Sequence, residues 1–413
     1  MKAPANKRIY LVATCDTKGL ELEYCAHCIR NLQLDCVLVD VSTTTGAVKI
    51  HVDVRPEQVL GSRRLPSGED RGACIEVMSQ GLTDYLQQQW ASGHVAGVLG
   101  LGGSGGTSLI SRALRELPIG LPKLMVSTVA SGNTAPYVGC SDTVMMYSVV
   151  DVAGLNTVSR TILANAAHAM AGMAMAPPPL SEAKPAIGMT MFGVTTPCVT
   201  GVREKLELHG YDGLVFHATG TGGQAMERLV ASELIEGVLD ITTTEVADEI
   251  VGGVFPAGPQ RFDATLKRGL PLVLSFGACD MVNFGAQATV PSRFKDRKLH
   301  VHNAQVTLMR TSPEENCQIA AWICRKLNSS SGPVTVVIPE KGVSMLDQPG
   351  QPFYDPEADA ALFDEVERLL ATDAQRQLRS LPLHINEPEF AQALVDEFLA
   401  LAKPINSSRC KAH

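Results

Sequence analysis

Short apolar runs alternate with amphipathic segments along most of the chain. In the first half, the apolar runs cover residues 8–13, 36–41, 95–101 and 123–128, and each is followed by a polar turn. The segment at 72–90 repeats its apolar residues with the period of a helix. Buried strands that alternate with amphipathic helices are typical of βαβ units, in which the strands are parallel. The pattern therefore predicts an α/β fold built on a doubly wound parallel sheet.

The pattern stops at a proline-rich stretch and then starts again. Residues 177–185 read P-P-P-L-S-E-A-K-P, which disfavours regular structure and predicts a linker. We predict an N-terminal nucleotide-binding subdomain at 1–176 and a C-terminal subdomain at 186–413 that carries a substrate or partner cleft. Each half repeats the same succession of strands, glycine and threonine loops, and helices. The two doubly wound halves are expected to face each other across a cleft.

A glycine-rich turn follows the apolar run at 95–101, and a helical pattern begins directly after it. The residues of this turn are Gly102, Gly103, Ser104, Gly105, Gly106 and Thr107. A strand, a glycine turn and a helix together present backbone N–H groups and a positive helix end to an anion. No lysine follows the glycines, and their spacing is not that of a dinucleotide fingerprint. Two interpretations stay open: a nucleotide phosphate site, and a tight packing turn between strand and helix.

Two further turns of the first half are predicted to line the same crevice. Their residues are Asp16, Thr17, Lys18 and Gly19 after the first strand, and Ser131 and Gly132 after the fourth. The carboxyl ends of parallel strands lie at one edge of a sheet, so turns at those ends border a common ligand crevice. Lys18 is expected to offset phosphate charge. A capped surface turn with a solvated lysine explains that turn equally well.

The second half offers a candidate substrate loop and a candidate catalytic set. The loop after the apolar run at 213–217 contains Thr219, Gly220, Thr221, Gly222 and Gly223. The candidate catalytic residues are Glu245, Asp248, Asp280 and Asn283. The first two carboxylates share one face of a predicted helix, which suits Mg²⁺ binding or acid–base catalysis. The preference of helix N-termini for acidic residues explains that pair equally well.

A thiol or metal hydrolase is a third interpretation of the second half. Cys279 would need His217 as its base, and a structural thiol is the simpler explanation. His300 and His302 share one face of a predicted strand, but the sequence identifies no third ligand for a metal. We therefore assign no metal site.

The overall charge limits the classes of partner. The 413 residues include 35 Lys and Arg against 43 Asp and Glu, a formal net charge of −8. This charge argues against a nucleic acid or an anionic membrane as the partner. No apolar run reaches the ~18 residues of a transmembrane helix, and the N-terminus shows no signal-peptide core. Because the 11 cysteines lack the spacing of a disulfide framework, we expect reduced thiols in a cytoplasmic protein.

Five motifs together resemble a known family. They are V-A-T-C-D-T-K-G (Val12–Gly19), G-L-G-G-S-G-G-T (Gly100–Thr107), T-V-A-S-G-N-T (Thr128–Thr134), H-A-T-G-T-G-G (His217–Gly223) and S-F-G-A-C-D-M-V-N-F-G (Ser275–Gly285). With them, the chain resembles the N-terminal ATP-binding domain of the tomato mosaic virus resistance protein and its bacterial relatives. The resemblance implies two Rossmann-like subdomains, ATP held by the first, and a homodimer. The plant protein continues into a further domain, so its antiviral activity is not transferred to this chain.

The function expected from the sequence is ATP binding, in an ATP-dependent enzyme of the phosphoryl-transfer type that acts on a small polar metabolite. ATP is the expected cofactor, with Mg²⁺ as an optional one, since phosphoryl transfer needs mainly positioning and charge neutralisation. The alternative is a non-enzymatic ATP-binding sensor or protein-interaction module, in which the second half binds another protein.

Overall fold

The computed structural model describes residues 7–44, 48–66, 70–176 and 184–402. The chain divides into two units, Met1–Pro179 (unit 1) and Leu180–His413 (unit 2). Most of the linker predicted at 177–185 lies outside the described residues.

Unit 1 is built on a parallel sheet whose two faces are both buried. Its strands within the described ranges are β1 (Arg8–Ala13), β2 (Cys36–Asp40), β3 (Val95–Gly102), β4 (Lys123–Ser127) and β5 (Val144–Tyr147). They lie in the order β2-β1-β3-β4-β5, and all neighbours are parallel. Along β1, Leu11 is buried in one core and Val12 in the other. Burial on both faces explains why these strands read as nearly continuous apolar runs.

Helices cover both faces of this sheet. They are α1 (Cys15–Asn31), α2 (Pro56–Leu60), α3 (Arg71–Ala91), α4 (Ser104–Arg115), α5 (Ala135–Val138) and α6 (Thr157–Met175). α1 and α6 pack on the face that buries Leu11, whereas α3 and α4 pack on the face that buries Val12. The chain therefore leaves β1 toward one face and β3 toward the other. A crevice opens between the carboxyl ends of two neighbouring strands in this arrangement.

Unit 2 combines a larger parallel sheet with a small antiparallel one. Its described strands are β6 (Ala186–Met191), β7 (Asp212–His217), β8 (Gly237–Thr242), β9 (Leu272–Gly277), β10 (Met281–Phe284), β11 (Leu299–Asn303), β12 (Val306–Arg310), β13 (Val334–Pro339) and β14 (Arg376–Leu381). The parallel sheet has the order β14-β13-β9-β8-β6-β7, and β10-β12-β11 form the antiparallel sheet. The order β7-β6-β8-β9 repeats the order β2-β1-β3-β4 of unit 1.

The helices of unit 2 also lie on both faces of the parallel sheet. They are α7 (Thr196–Leu208), α8 (Thr221–Ala231), α9 (Thr244–Val251), α10 (Asp263–Arg268), α11 (Pro313–Leu327), α12 (Pro356–Leu369) and α13 (Pro388–Leu401). Short 3₁₀ turns occur at Gly193–Thr195, Gln287–Thr289 and Ser292–Phe294. α7 and α13 share one core, and α8 to α12 contribute to the other.

The predicted fold class, two doubly wound parallel sheets, is confirmed. The sequence pattern predicts no strand at β5, β10, β12 or β14. β14 reads R-Q-L-R-S-L and is an edge strand with half-buried and exposed residues, so it lacks the apolar run that marks an inner strand.

The turn between β3 and α4 leaves no room for a side chain at its first glycine. A Cβ on Gly102 would lie 2.6 Å from the backbone nitrogen of Thr107 and 2.7 Å from the carbonyl carbon of Gly106. A Cβ on Gly103 would come no nearer than 3.9 Å, to Oγ1 of Thr128. Neither glycine has a positive φ. Gly102 and Gly103 therefore differ in the packing around them and not in backbone conformation.

We predict that Gly102→Ala destabilises the protein by about 1–3 kcal/mol, because backbone atoms must move to admit the methyl group. Gly103→Ala is the matched control and is expected to stay within about 0.5 kcal/mol of the wild type. Thermal unfolding of both purified variants measures the difference. Equal unfolding midpoints for the two variants would contradict this packing argument.

Candidate functional site

The two predicted nucleotide-binding turns lie side by side at the carboxyl edge of the unit 1 sheet. β1 and β3 are neighbours, with Val12 opposite Gly100. In the structure, residues 16–19 form the first turn of α1 after β1, and residues 102–107 span the end of β3 and the first turn of α4, so both predicted turns border the crevice. In doubly wound sheets of this strand order, ligands bind where the chain reverses between these two strands. The sequence predicts both turns, and the structure brings them together.

The first N–H groups of α1 already have hydrogen-bond acceptors within the protein. The N–H of Cys15 donates to Oδ1 of Asp40 at 3.0 Å, and the N–H of Asp16 donates to Oγ of Ser42 at 3.1 Å. Side chains at the end of β2 therefore take the N–H groups that a helix start would offer to an anion. With two carboxylates nearby, this part of the crevice is acidic.

Lys18 does not point at a phosphate site. Its Nζ donates to the backbone carbonyl of Val152 at 2.5 Å, in the segment that follows β5. This contact corrects the expectation that Lys18 offsets phosphate charge. Gly19 is buried, and a Cβ there would lie 3.2 Å from the side chain of Ile50, so its role is packing. Thr17 is exposed on the same turn.

The first N–H groups of α4, by contrast, have no acceptor among the described residues. The N–H of Thr107 donates to the carbonyl of Gly103 at 2.8 Å, which begins the helical hydrogen bonding. The N–H groups of Ser104, Gly105 and Gly106 come before it and have no acceptor within the helix. No side chain in the described part of the chain caps them, and all three residues are at least partly exposed. Three backbone donors and the positive end of the helix are therefore available to a ligand.

At two positions of this turn, neither packing nor backbone conformation requires a glycine. A Cβ on Gly103 or Gly106 would approach no described atom more closely than 3.9 Å and 3.7 Å respectively, and neither residue has a positive φ. Only Gly102 is fixed by packing. The turn thus keeps an open surface above its backbone N–H groups, which is what the close approach of a ligand oxygen requires.

A guanidinium group lies against this helix start. Arg71 begins α3, and one of its terminal nitrogens lies 3.3 Å from the place that a Cβ of Gly105 would take. Arg71 forms no ion pair or hydrogen bond with any residue that the structure describes. A cation beside the positive end of a helix is unfavourable. An anion between the two removes the repulsion, so the arrangement indicates a site for phosphate or carboxylate.

Sequence reasoning misses Arg71. Nothing in its local sequence distinguishes it from an ordinary surface arginine at the start of a helix. Only the packing of α3 on α4 brings it to the glycine turn.

Thr107 does not line the site; its buried side chain holds the turn in place. Its side chain is buried, and its Oγ1 lies 2.6 Å from Oγ of Ser127 at the end of β4. Oγ of Ser127 in turn accepts the N–H of Val129 at 3.1 Å. The expected contact of the Thr107 hydroxyl with a nucleotide is therefore corrected: it ties the turn after β3 to the turn after β4. Ser131 and Gly132 are exposed in that second turn.

In unit 2, the predicted substrate loop is closed by a carboxylate of the same chain. The N–H groups of Gly220 and Gly223, at the start of α8, both donate to Oε1 of Glu245, at 2.6 Å and 3.0 Å. Both glycines are buried, whereas Thr219 is half-buried and Thr221 is exposed. The backbone donors that an external substrate would use are thus taken, which corrects the substrate-binding assignment.

Glu245 also belongs to a buried ion network. Its Oε2 lies 3.0 Å from Nε of Arg261, whose other nitrogens bind Asp240 at 2.7 Å and 2.8 Å. Burial raises the pKa of Glu245, and the guanidinium opposes this effect. A Cβ on Gly222 would lie 1.8 Å from the carbonyl oxygen of His217, so this glycine is fixed by packing. Sequence reasoning misses Arg261, because an arginine in a glycine and proline loop is usually exposed.

The other candidate catalytic residues hold loops together. Oδ1 of Asp248 accepts the N–H and the side-chain amide of Asn283 at 2.7 Å and 3.1 Å, and Oδ2 accepts the N–H of Phe255 at 2.8 Å. Burial raises the pKa of Asp248 to about 7. Oδ2 of Asp280 accepts the hydroxyl of Ser344 at 2.8 Å.

These positions correct the catalytic assignment in unit 2. Each of the four side chains has no solvent-exposed surface, so a diffusing substrate does not reach them in this conformation. The sequence spacing correctly places the first two on one helix, α9, but it does not reveal their burial. The residues whose catalytic assignment is corrected are Glu245, Asp248, Asp280 and Asn283.

The crevice of unit 2 is filled by the chain itself. The segment after β13 lies over the turns that follow β6 and β9. The N–H of Ala278 donates to the carbonyl of Val343 at 2.9 Å, and the N–H of Met345 donates to the carbonyl of Val194 at 3.0 Å. In unit 1, the backbone donors after β1 are bonded to Asp40 and Ser42, whereas those after β3, at the start of α4, have no such contacts in the described ranges.

A thiol nucleophile at Cys279 is contradicted. The thiol is fully buried, and burial raises its pKa to about 12, so it is not ionised at neutral pH. His300 and His302 lie on β11, as the sequence predicts. In the described ranges, no group of three or more His, Cys, Asp or Glu side chains is placed to hold a metal ion.

Comparisons with known proteins match both units to the same family. The family model described as Uncharacterised protein family (UPF0261) N-terminal domain matches residues 7–179, and the C-terminal domain model matches residues 184–402. A UPF0261 protein of Rhizobium meliloti is 53% identical over 403 residues, which cover 96% of this chain and 100% of that protein. A UPF0261 protein of Clostridium tetani is 45% identical and covers 95% of this chain and 98% of its own length.

The same comparison includes a plant protein. The ToMV resistance protein Tm-1(GCR237) of Solanum lycopersicum is 47% identical over 433 residues. The match covers 98% of this chain but 57% of the tomato protein. Among solved structures, a putative UDP-N-acetylglucosamine 2-epimerase of Listeria monocytogenes covers 98% of this chain and 94% of its own, with 9% identity and a TM-score of 0.25. That structural likeness is too weak to carry an argument.

Across the described residues, every helix is too short or too polar to span a membrane.

A buried cluster in unit 2 makes stability depend on pH. Nη2 of Arg310 donates to Oδ1 of Asp359 at 2.6 Å and lies 3.7 Å from Oδ1 of Asp347. Burial, followed by the charge of Asp347, raises the pKa of Asp280 to about 7 and that of Asp359 to about 8. In the unfolded chain these carboxyl groups ionise near pH 4. Between about pH 4 and pH 8 the folded state therefore binds more protons, and stability falls as pH rises.

We predict that Asp359→Asn raises the unfolding midpoint at pH 8.5 by about 2–4 °C and changes it little at pH 5.5. The amide oxygen still accepts from Arg310, the amide nitrogen donates to Asp347, and no buried charge remains at this position. Asp364→Asn, an exposed change on the same helix, is the control. Thermal unfolding at both pH values tests this, and a lower midpoint for Asp359→Asn at pH 8.5 would contradict it.

Proposed function

This chain belongs to the uncharacterised protein family UPF0261, and from this premise we propose that it is an ATP-binding protein whose unit 1 holds the phosphates at the start of α4. The observation that carries the proposal is the guanidinium of Arg71, which has no partner among the described residues, beside the N–H groups of Ser104, Gly105 and Gly106, which no described side chain caps. Charge-assisted bonds from a guanidinium and from a helix N-terminus are the usual means of holding phosphate.

ATP is the proposed ligand because of the motif resemblance, and the geometry supports the phosphate part of it. The five motifs resemble a family whose first subdomain holds ATP. Mg²⁺ is included in the tests because it accompanies nucleotide phosphates in most sites of this kind. A cytoplasmic location and a homodimer belong to the same proposal and rest on the composition and on the resemblance.

Of the two functions expected from the sequence, the geometry favours binding over phosphoryl transfer. The four carboxylate and amide side chains expected to act on a metabolite are buried and bonded within unit 2. We therefore propose a nucleotide-responsive binding protein first, and an ATP-dependent enzyme acting on a small polar metabolite as the alternative. Release of ADP or phosphate by the purified protein, with and without added small metabolites, would favour the alternative.

We predict that Arg71→Ala weakens the binding of Mg·ATP by about 10- to 100-fold, because a bond to a charged group is lost. The ligand-free variant should be at least as stable as the wild type, since a repulsion with the α4 end is also removed. Arg325→Ala, an exposed change on α11 in unit 2, is the matched control. Isothermal titration measures the affinities, and thermal unfolding measures the stabilities.

Gly105→Val is a second variant for the same site. Its side chain would meet the mobile end of Arg71 and not the backbone, so the fold should remain intact while the N–H groups become covered. Unchanged ATP affinity in both Arg71→Ala and Gly105→Val would overturn the site assignment.

A further inference from the structure

A recess at the carboxyl end of β2 is separate from the start of α4. It has a volume of about 480 Å³, which falls within the range of small-molecule clefts. Its described lining includes neither Arg71 nor any residue of the turn at 102–107. β1 lies between β2 and β3, so the recess and the proposed phosphate site are at different places along the sheet edge.

Two chain segments that are tied to β2 enclose this recess. One leaves the end of the strand at residues 42–44, and the other supplies residues that lie between 48 and 65. A parallel bridge joins Val54 to Val39, and the N–H of Leu38 donates to Oδ2 of Asp53 at 2.8 Å. The second segment therefore runs along the outer edge of β2 and is held there.

The wall of the recess is apolar and is part of the fold. It includes Val52, Leu60 and Leu65. Leu60 is buried in the core that contains Val12, and Leu65 packs against the same core. Because the core holds these side chains, they offer a preformed apolar surface, and a ligand group that covers it is removed from water.

Two side chains of opposite charge lie at this recess without a partner. Arg55 directly precedes α2, and Glu57 lies in its first turn; both are exposed, and both line the recess. Neither side chain forms an ion pair or a hydrogen bond with a residue that the structure describes. Asp40 also lines the recess, but its Oδ1 already accepts the N–H groups of Cys15 and Ser42. Arg55 and Glu57 are therefore the charged groups that are open to a ligand.

The remaining polar groups of the lining add little charge. His51 is 91% exposed, and its Nε2 lies 3.9 Å from Oδ1 of Asp53. Thr43 is half-buried, and its hydroxyl has no hydrogen bond within the described ranges. This hydroxyl can donate to an anionic group of a ligand or accept from a cationic one.

The lining selects a ligand that carries both charges on an apolar body. A polyphosphate is disfavoured because Glu57 and Asp40 are both negative, and a purely cationic ligand leaves Arg55 without a partner. An α-amino acid carries a carboxylate for the guanidinium, an ammonium group for Glu57 and a side chain for the apolar wall.

We infer that the recess at the end of β2 is a binding site for a free α-amino acid with a large apolar side chain. The inference goes beyond the proposed function and does not rest on it, since it uses none of the residues of the phosphate site. It gives unit 1 a second ligand of a different chemical class.

Isothermal titration of the full chain with four ligands tests this inference. The ligands are L-phenylalanine, L-alanine, phenylpropanoate, which lacks the ammonium group, and phenethylamine, which lacks the carboxylate. The wild type should bind phenylalanine at least about tenfold more tightly than each of the other three. Each of those three lacks one contact: with the apolar wall, with Glu57 or with Arg55.

Arg55→Ala and Glu57→Gln should change the ligand preference in opposite ways. Arg55→Ala should weaken phenylalanine and phenylpropanoate by about tenfold and should not weaken phenethylamine, because a bond to a charged group is lost. Glu57→Gln should weaken phenylalanine and phenethylamine by about tenfold and should not weaken phenylpropanoate. The affinity that each variant retains shows that it is folded. Arg325→Ala, an exposed change in unit 2, is the control and should bind all four ligands as the wild type does.

Absence of phenylalanine binding to the wild type at millimolar concentration overturns the inference. Phenylalanine affinity that is unchanged in either Arg55→Ala or Glu57→Gln also overturns it, because both charges are required. Analogues that bind as tightly as phenylalanine have the same consequence.

Mg·ATP, titrated into the same proteins, separates this inference from the proposed function. Arg55→Ala should keep the wild-type affinity for ATP, and Arg71→Ala should keep the wild-type affinity for phenylalanine. If Arg55→Ala weakens ATP and phenylalanine alike, the recess belongs to the nucleotide site and the inference is overturned. If the wild type binds phenylalanine but not ATP, the proposed function fails and the amino-acid site stands.

Discussion

The order of the parallel strands determines where each unit can accept a ligand. In unit 1 the chain leaves β1 toward one face and β3 toward the other, so the turns after these strands enclose a crevice at the sheet edge. Unit 2 repeats the order with β6 and β8, but its segment after β13 bonds to the turns after β6 and β9. One constraint of topology thus produces a crevice with free donors in unit 1 and a filled one in unit 2.

Electrostatics then gives the crevice of unit 1 its polarity. The start of α1 is neutralised by Asp40 and Ser42, so its N–H groups are not available. The start of α4 has no such partner among the described residues, and Arg71 adds a second positive group there. Arg71 is exposed to solvent, so its charge is not buried, but a cation beside the positive end of a helix is still unfavourable in the ligand-free protein. Such an arrangement is understandable where an anionic ligand supplies the missing partner.

The sequence predicts those features that depend on neighbouring residues. β3, and β1 after its exposed first residue Arg8, are apolar because both faces of the sheet are covered, and the glycine turn after β3 follows from local composition. The position of Arg71 depends on the packing of two helices, and no local pattern reports it. Glu245 lies on α9 as its spacing predicts, but its burial depends on the loop that begins α8, which packs over it from elsewhere in the chain.

Amide hydrogen exchange with and without Mg·ATP tests the central claim most directly, namely that the phosphates accept the first N–H groups of α4. We expect ATP to slow exchange in the peptide that spans residues 102–108, because Ser104, Gly105 and Gly106 gain acceptors. The N–H groups of Cys15 and Asp16 already have partners and should change little. Protection that appears elsewhere in unit 1 and leaves 102–108 unchanged would contradict the account.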